Sequence, residues 1–251
     1  MNDVKIIICT TKKCDFPKDN IYLPILLNAN KINLDFDYKD NVGKNISNKN
    51  PYYCELTGLY WAINNLDFDY LGLDHYRRLF TKKIFHFKKI KNAITKKELD
   101  KLLNKYDAIL PKKRHYYIET NYSHYIHSHH KEPLDETRNI IKEKYPDYLF
   151  YFDEVMNKRT AHMFNMFIFK KEIALQYSNF LFDILFTLEQ RIDISNYNDI
   201  EKRVFGYVSE LLIDVFINKN SIKYKELPYI FIGSQKWVKK ILNFIKRKFK
   251  H

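Results

Sequence analysis

The chain has 251 residues, of which 45% are apolar, and its 20 Tyr and 19 Phe support a sizeable folded core and exclude a largely disordered protein. Its formal net charge of +13 favours partners such as nucleic acid, anionic lipid or phosphorylated small molecules, although solvated surface lysines explain the charge equally well. Three cysteines and five glycines exclude a disulfide framework and a glycine-rich nucleotide-binding loop.

The predicted elements of the first half of the chain alternate between strands and helices. An apolar, β-branched run over residues 5–9 predicts a buried strand, and Asn50-Pro51 predicts the N-cap and first position of a helix. A second strand is predicted over residues 69–73. A capping box at residues 95–98 opens the next helix, and residues 107–110 predict a third strand.

The second half continues the same alternation. An aromatic run over residues 162–169 predicts a fourth strand, and residues 171–188 and 199–217 predict two long amphipathic helices, the second capped by Asn198. Residues 222–227 alternate between apolar and polar side chains and predict an edge strand. Strands that alternate with helices are typical of an α/β fold with a largely parallel sheet.

Paired cations follow three of the predicted strands. The first strand is followed by Thr10-Thr11-Lys12-Lys13, the second by Asp74-His75-Tyr76-Arg77-Arg78 and the third by Pro111-Lys112-Lys113-Arg114. Parallel strands end at one edge of a sheet, where α/β proteins bind ligands, so these cations would form a positive cleft suited to a diphosphate. The alternative is that basic residues simply populate surface loops. The candidate diphosphate ligands are Thr10, Thr11, Lys12, Arg77, Arg78 and Lys112.

Asp74 is the only acid among these groups at the strand ends. Because a carboxylate beside a diphosphate commonly holds a divalent cation, Asp74 is a candidate ligand of Mg²⁺ or Mn²⁺. With His75, it is also a candidate catalytic residue. The D-x-D pairs at residues 35–37 and 67–69 are better explained as turn acids, since the second pair lies before its strand and the first in a loop.

The most specific motifs of the chain are ELTGLYW at residues 55–61 and HYRR at residues 75–78. With YDAILPKKR at 106–114 and FNMFIFKKE at 164–172, they resemble a bacterial family of capsular and exopolysaccharide glycosyltransferases formerly catalogued as a domain of unknown function. The resemblance runs through residues 4–230 and implies a nucleotide-sugar-dependent hexosyltransferase with a GT-A-like, Rossmann-like α/β fold. It implies a UDP-hexose donor, with galactose in pyranose or furanose form favoured, and a surface polysaccharide as product.

The resemblance leaves the mode of diphosphate stabilisation open. The residue before HYRR in that family is often Cys and only sometimes acidic, so Asp74 is not an obligatory metal ligand. Either Asp74 holds a divalent cation, or Arg77 and Arg78 neutralise the leaving diphosphate without one. We expect one of these arginines to bind phosphate and the other to brace the fold. His75 and Tyr76 are either site residues or packing residues.

Polar side chains in two helices complete the predicted site. Asn45, Ser47 and Asn50 lie where a helix begins, and they are candidates for contacts with uridine or with sugar hydroxyls. Glu55 is either a site carboxylate or a satisfied structural one. Glu210 is the candidate catalytic base for an inverting reaction, and the alternative is a structural role facing the core.

A histidine-rich stretch, HYIHSHH, occupies residues 124–130. The spacing of its imidazoles fits one face of a helix and would suit zinc, but no cysteine accompanies them. The other interpretation is an acceptor-side loop with one functional histidine, for which His130 is the candidate.

Residues 234–251 form a segment of their own, so we divide the chain into a glycosyltransferase domain (1–233) and a C-terminal helix (234–251). The apolar residues of this segment fall on one helical face and its lysines and arginines on the rest, a pattern typical of a helix in an anionic membrane interface. The alternative is a helix packed on the domain. No apolar run is long enough for a signal peptide or a membrane span. We therefore expect a cytoplasmic protein, peripheral at the inner face of the cell membrane, that acts on a polyprenyl-linked saccharide acceptor.

Two other classes of function fit the composition: a nucleic-acid-binding module and a membrane-surface scaffold without catalysis. The aromatic residues fall mostly at core spacing, and the sequence has no RRM, KH or zinc-finger signature. We therefore expect no nucleic-acid partner.

Overall fold

The computed structural model describes residues 2–82 and 89–233 of the chain. The predicted C-terminal helix, residues 234–251, lies outside the described residues, and with it the proposed boundary between the two segments. None of the helices in the described ranges is long and apolar enough to cross a membrane.

The elements alternate along the chain as the sequence predicts. The strands are β1 (Val4–Thr10), β2 (Tyr22–Leu26), β3 (Tyr38–Lys39), β4 (Tyr70–His75), β5 (Arg78–Phe80), β6 (Ala108–Pro111), β7 (Arg114–His115), β8 (Thr160–Ala161), β9 (Phe167–Lys170), β10 (Tyr224–Leu227) and β11 (Tyr229–Phe231). The helices are α1 (Asn50–Tyr53), α2 (Leu56–Asn65), α3 (Lys96–Leu103), α4 (Asn121–Ile126), α5 (Glu132–Lys144), α6 (Leu149–Asn157), α7 (Lys171–Arg191) and α8 (Val204–Lys219).

One mixed sheet organises the described residues. Its strands lie in the order β10-β6-β9-β4-β1-β2-β3, with β5 paired to the end of β4 and β11 paired to β5. β4 is parallel to β1 and antiparallel to β9, and β9 is in turn antiparallel to β6. β1, β4 and β6 therefore run in one direction, and their carboxyl ends lie at one edge of the sheet. The predicted α/β class with a mostly parallel sheet flanked by helices is confirmed, and β10 is an edge strand as expected.

The two faces of the sheet bury different cores. Leu71 and Leu73 of β4 join the larger core, which also contains the buried faces of α2, α7 and α8. Tyr70 faces the smaller core, which includes residues of α3. Gly72 lies between the side chains of Ile6 and Ile168, where an added Cβ would come within 3.0 Å of both. The alternation along β4 therefore decides which side of the sheet each residue at its carboxyl end faces.

Two predicted elements are shorter than the sequence indicates. The helix expected from Asn50 is a single turn, with Lys49 as its N-cap, because Cys54 has φ 52° and ψ −127° and interrupts the helix before α2. The strand expected over residues 162–169 begins only at Phe167. Phe164 and Asn165 precede it with φ values of 76° and 52°, a left-handed conformation that a strand cannot accommodate.

Both predicted capping interactions are present. Thr95 and Glu98 form a reciprocal capping box at the start of α3. Asn198 accepts hydrogen bonds from the backbone N–H groups of Ile200 and Glu201, and the Glu201 carboxylate accepts one from the backbone of Asn198. This second cap opens a 3₁₀ turn at Glu201–Arg203 that leads directly into α8.

Candidate active site

A cavity of 780 Å³ lies beside the carboxyl end of β4. Four other parts of the chain close it: the corner between α1 and α2, the segment from β7 through α4, the turn before β9 and the first half of α8. Its charged and imidazole-bearing lining residues are Glu55, His75, Arg78, Arg114, Glu119, His124, His127, His129, Arg203 and Glu210. The cavity therefore gathers ionisable groups that are distant in sequence.

The left-handed turn at Phe164 holds two of these groups through its backbone. The carbonyl oxygen of Phe164 lies 2.5 Å from Nε2 of His75 and must accept its hydrogen, while the N–H of Phe164 donates to the Glu210 carboxylate. Burial lowers the pKa of His75, and the nearby guanidiniums of Arg78 and Arg203 act in the same direction. The ring is thus a neutral imidazole protonated at Nε2, and Nδ1 is its acceptor atom.

Two carboxyl groups, those of Glu55 and Glu210, line the cavity. Burial raises the pKa of Glu210 to about 7, and the charge of Glu55 adds to the shift. Glu55 accepts a hydrogen bond from the Nδ2 of Asn165 at 2.7 Å. Glu210 therefore exchanges its proton near neutral pH, which is the property that a general base or acid needs.

Three arginines supply positive charge to the cavity. The Arg78 guanidinium lies 4.1 Å from the centroid of the Phe164 ring, and although burial lowers its pKa the group remains charged. Arg203 donates from Nε to the Sγ of Cys54 at 3.1 Å, which orients its guanidinium at the start of α8. Arg114 lies over the Tyr116 ring at 5.1 Å. Such a set suits a substrate with two phosphate groups.

The histidine-rich stretch forms one wall of the cavity. The carboxylate of Glu119 accepts from Nδ1 of His124 and of His127, both at 2.7 Å. Within residues 2–82 and 89–233, no three His, Cys, Asp or Glu side chains converge closely enough to hold a metal ion. The zinc interpretation of this stretch therefore gains no support from the geometry.

Histidines of the same stretch stack on tyrosines from other elements. His129 stacks on Tyr207 of α8 with ring centroids 4.1 Å apart, and His130 stacks on Tyr197 at 4.0 Å. His130 also lies 3.4 Å from the Glu201 carboxylate and is absent from the cavity lining. Its role on the acceptor side stays a prediction, for a ring that stacks on Tyr197 outside the cavity lining.

Of the residues predicted from the sequence, His75, Arg78 and Glu210 lie together in the cavity. Asp74 does not, because it precedes His75 on the strand and faces the other side of the sheet. Its side chain is fully buried, Oδ2 accepts from the Phe80 N–H at 3.3 Å, and Oδ1 has no hydrogen-bond partner among the described residues. Burial raises the pKa of this carboxyl well above its usual range. Asp74 therefore does not fit the predicted ligand of a divalent cation at the donor site.

Ser47 and Asn50, two of the three side chains predicted to contact uridine or the sugar, belong to a hydrogen-bond network around a buried carboxylate. Asp40 is fully buried and accepts from the hydroxyls of Ser47, at 2.6 Å, and Thr57, at 2.7 Å. Asn50 donates to the Thr57 hydroxyl at 3.0 Å. Asn45 donates to the Gly43 carbonyl and accepts from the Ser47 N–H. The hydroxyls of Ser47 and Thr57 are thus used to pair Asp40, because an unpaired buried carboxylate would be costly.

The remaining strand-end residues lie at the same edge of the sheet but outside the cavity lining. Lys12 and Arg77 approach the Tyr76 ring, at 5.0 Å and 5.2 Å from its centroid, and both side chains are exposed. Thr10 is buried and closes a turn with Lys12, and Thr11 and Lys112 are exposed. Arg77 and Arg78 therefore differ in environment, as expected.

Sequence reasoning missed several members of the cavity. Arg203 and Tyr207 precede the predicted Glu210 by seven and three residues, so the three share one face of α8 and its leading turn, and this spacing was an available signal. Glu119 of the lining, and Asn165, which bonds Glu55 without lining the cavity itself, carry no comparable signal, because their partners are distant in sequence.

Comparisons with known proteins agree with the fold. The model of a family described as domain of unknown function (DUF4422) matches residues 5–221. Among solved structures, the apo structure of WbbM, a bifunctional glycosyltransferase, matches with a TM-score of 0.85 and 30% sequence identity. That match covers 93% of this chain and 46% of WbbM, so this chain spans about half the length of that protein. No curated protein matches the sequence. The predicted GT-A-like fold class is confirmed.

Proposed function

The chain belongs to the DUF4422 family, and we propose that it is a glycosyltransferase that moves a hexose from a UDP-sugar to a saccharide acceptor. One observation carries the proposal: a carboxyl group whose pKa is about 7, Glu210, shares a cavity with three arginines at the carboxyl end of a central strand. The fold shared with half of a bifunctional glycosyltransferase supports it. A concave cavity of 780 Å³ also has the size of a site for a small donor.

The arginines are proposed to bind the diphosphate of the donor. Arg78 and Arg203 both act on His75 electrostatically, so their positive charges converge on one end of the cavity. Charge that develops on the leaving diphosphate is stabilised there by guanidiniums already in place. Since Asp74 does not fit a metal ligand, no step of this mechanism passes through a metal ion. Thr10, Thr11 and Lys12 follow β1, which pairs with β4, and remain candidates for contacts with the nucleotide.

Glu210 is proposed as the general base of an inverting displacement. The acceptor hydroxyl gives its proton to Glu210 while its oxygen forms a bond to the anomeric carbon of the hexose. The bond from that carbon to the diphosphate oxygen breaks, and its electron pair leaves with UDP. His75, with Nδ1 free to accept, is proposed to orient a hydroxyl of the donor sugar.

The finer features of the substrate follow from the family resemblance. The proposed donor is UDP-galactose in pyranose or furanose form, and the proposed acceptor is a polyprenyl-linked saccharide of a surface polysaccharide. The basic segment 234–251 is proposed to hold the enzyme at the inner face of the cell membrane, where such an acceptor resides.

The test is release of UDP from a panel of UDP-hexoses, with and without short saccharide acceptors, followed by mass spectrometry of the products. We expect one donor to give acceptor-dependent UDP release that Glu210→Gln reduces about 10²-fold or more. Acceptor-dependent release that is equal in the wild type and Glu210→Gln would refute the role of Glu210. Failure of every UDP-sugar to be turned over or bound would refute the proposed donor class.

A further inference from the structure

The turn at Phe164-Asn165 contacts four ionisable groups of the cavity. They are His75, Glu210, Glu55 and Arg78. We propose that Asn165 is the positioning residue of the site: its amide holds Glu55 as a fixed hydrogen-bond acceptor, so that Glu210 is the carboxyl that exchanges the proton. This inference rests on the proposed function and deepens it, because it assigns different roles to Glu55 and Glu210.

The orientation of the Asn165 amide is set by its neighbours. Its side chain is buried, with 2% of its surface exposed. The Ser209 hydroxyl lies 3.0 Å from Oδ1 and 2.8 Å from the Gly206 carbonyl oxygen, while Nδ2 donates to Glu55 at 2.7 Å and faces the same Gly206 carbonyl at 3.3 Å. The carbonyl can only accept, so Nδ2 must point towards it and towards Glu55. Oε1 of Glu55 is therefore an acceptor and carries no proton in this arrangement.

The backbone of the same turn fixes the other acid. Phe164 and Asn165 both have left-handed φ values, and such conformations persist where surrounding contacts hold them, often at functional sites. The conformation brings the Phe164 N–H to Glu210 and its carbonyl to His75. A single turn thus holds Glu55 by a side chain and Glu210 by a backbone group, which fixes the separation of the two carboxyls.

The charges around Glu210 set the direction of any change in its pKa. Glu55 raises the pKa of Glu210, whereas Arg78, Arg114 and the Phe164 N–H lower it. A change at position 165 alters Glu55 directly and leaves the two arginines in place. The other titratable groups facing this part of the cavity are His75, Cys54, Tyr116, Arg203 and Tyr207.

Two substitutions at position 165 separate the amide from the backbone. Asn165→Gly keeps a residue suited to φ 52° and removes only the amide, so Glu55 loses its donor. Asn165→Asp is nearly isosteric and places a third carboxyl against Glu55, which adds negative charge near Glu210. Asn220→Ala is the matched control, because it also removes a side-chain amide, one that donates only to the neutral Tyr148 hydroxyl and Phe216 carbonyl.

The experiment follows glutamate carboxyl carbons by NMR as the pH changes in the ligand-free protein, and measures kcat for UDP-galactose over the same range. We expect Asn165→Asp to move the Glu210 midpoint and the acid limb of kcat upward. We expect Asn165→Gly to lower kcat about tenfold to a hundredfold, the range for a lost hydrogen bond to a charged group.

Asn220→Ala should leave the Glu210 midpoint and the pH profile unchanged. An unchanged Glu210 midpoint in Asn165→Asp would overturn the proposal, whatever the activity. If Asn165→Gly does not fold, Asn165→Asp decides by the same midpoint. A wild-type protein inactive on every UDP-sugar would refute the proposed function, while the NMR midpoints would still decide the role of Asn165.

Discussion

The guanidinium of Arg78 lies 4.1 Å from the centroid of the Phe164 ring and inside the cavity, so the aromatic ring fixes one cation beside the turn that holds His75 and Glu210. Its chain neighbour Arg77 is exposed and lies 5.2 Å from the centroid of the Tyr76 ring, outside the cavity lining. Two adjacent arginines of one motif thus occupy different environments.

Arg78→Ala is expected to lower kcat/KM for the UDP-sugar at least tenfold, because it removes a charge-assisted contact worth about 1.5–3 kcal/mol. Arg77→Ala is the control and should cost much less, since its guanidinium is solvated. Both variants should unfold at temperatures close to that of the wild type. Equal losses in the two variants would place the diphosphate elsewhere along the sheet edge.

The activity of the wild type should rise with pH through about 7, because Glu210 must lose its proton to act as a base. The raised pKa of Glu210 also affects the stability of the folded protein. The pKa of Glu210 is higher in the folded than in the unfolded protein, so its contribution to stability is fully present below the ordinary glutamate pKa and is lost as pH rises through about 7.

Glu210→Gln removes this titrating group. The variant should lose activity and yet gain about 1–3 kcal/mol of unfolding free energy relative to the wild type at pH 8, measured by urea denaturation. At pH 4 the two proteins should differ much less. A wild type whose rate does not change between pH 6 and 8 would argue against Glu210 as the base.

Asp74 directly precedes the HYRR motif, yet we predict that it is not a metal ligand. The carboxyl is buried with a raised pKa and faces away from the cavity, so the neutral Asp74→Asn side chain should be accommodated. We expect the rate as a function of Mn²⁺ concentration to be the same in wild type and Asp74→Asn. A selective loss of the Mn²⁺ response in the variant would restore Asp74 as a metal ligand.

The buried hydrogen-bonded pair of His162 and Asp214 should matter for stability. Asp214 accepts from the His162 N–H at 2.9 Å and lies 2.5 Å from its Nδ1, and both side chains are almost fully buried. Asp214→Ala leaves the His162 Nδ1 and a backbone donor unpaired, while Nε2 keeps the Glu226 carboxylate at 3.2 Å, and should cost about 3–5 kcal/mol in urea denaturation. Asp147→Ala, which breaks an exposed pair with Lys219, should cost about 1 kcal/mol or less. Similar costs for the two variants would contradict this reading of the pair.

The basic segment at residues 234–251 gives a separable prediction. Removal of residues 235–251 should abolish sedimentation with vesicles rich in anionic lipid, because each basic residue near such a surface contributes about 1 kcal/mol. UDP binding should survive, and activity should fall mainly on lipid-linked acceptors. Retained sedimentation by the truncated protein, or its unfolding, would show that the segment is not an independent membrane anchor.

The fold class was predictable because strand and helix periods are local properties of the sequence. The alternation of elements places the ends of β1, β4 and β6 at one edge, and the residues that follow those strands could be named in advance. Asp74 and His75 show the limit of that reasoning. They are neighbours in the chain but face opposite sides of the sheet, and the pattern alone does not say which side holds the cavity.

Other features of the site depend on contacts between distant segments. Ser47 was predicted to meet a ligand, but the buried carboxylate of Asp40 takes its hydroxyl. Asn165 lies inside a run predicted as strand, and nothing in that run marks the left-handed turn that brings its amide to Glu55. Buried polar networks of this kind are specified by tertiary packing, which overrides local preference.

A crystal structure of the protein with UDP tests most directly whether this cavity is the site of sugar transfer. We expect the diphosphate to lie against Arg78 at the mouth of the cavity, with its terminal phosphate directed towards His75 and Glu210. Binding of UDP on the Asp74 side of the sheet, with the cavity empty, would contradict the assignment of this cavity as the site of sugar transfer.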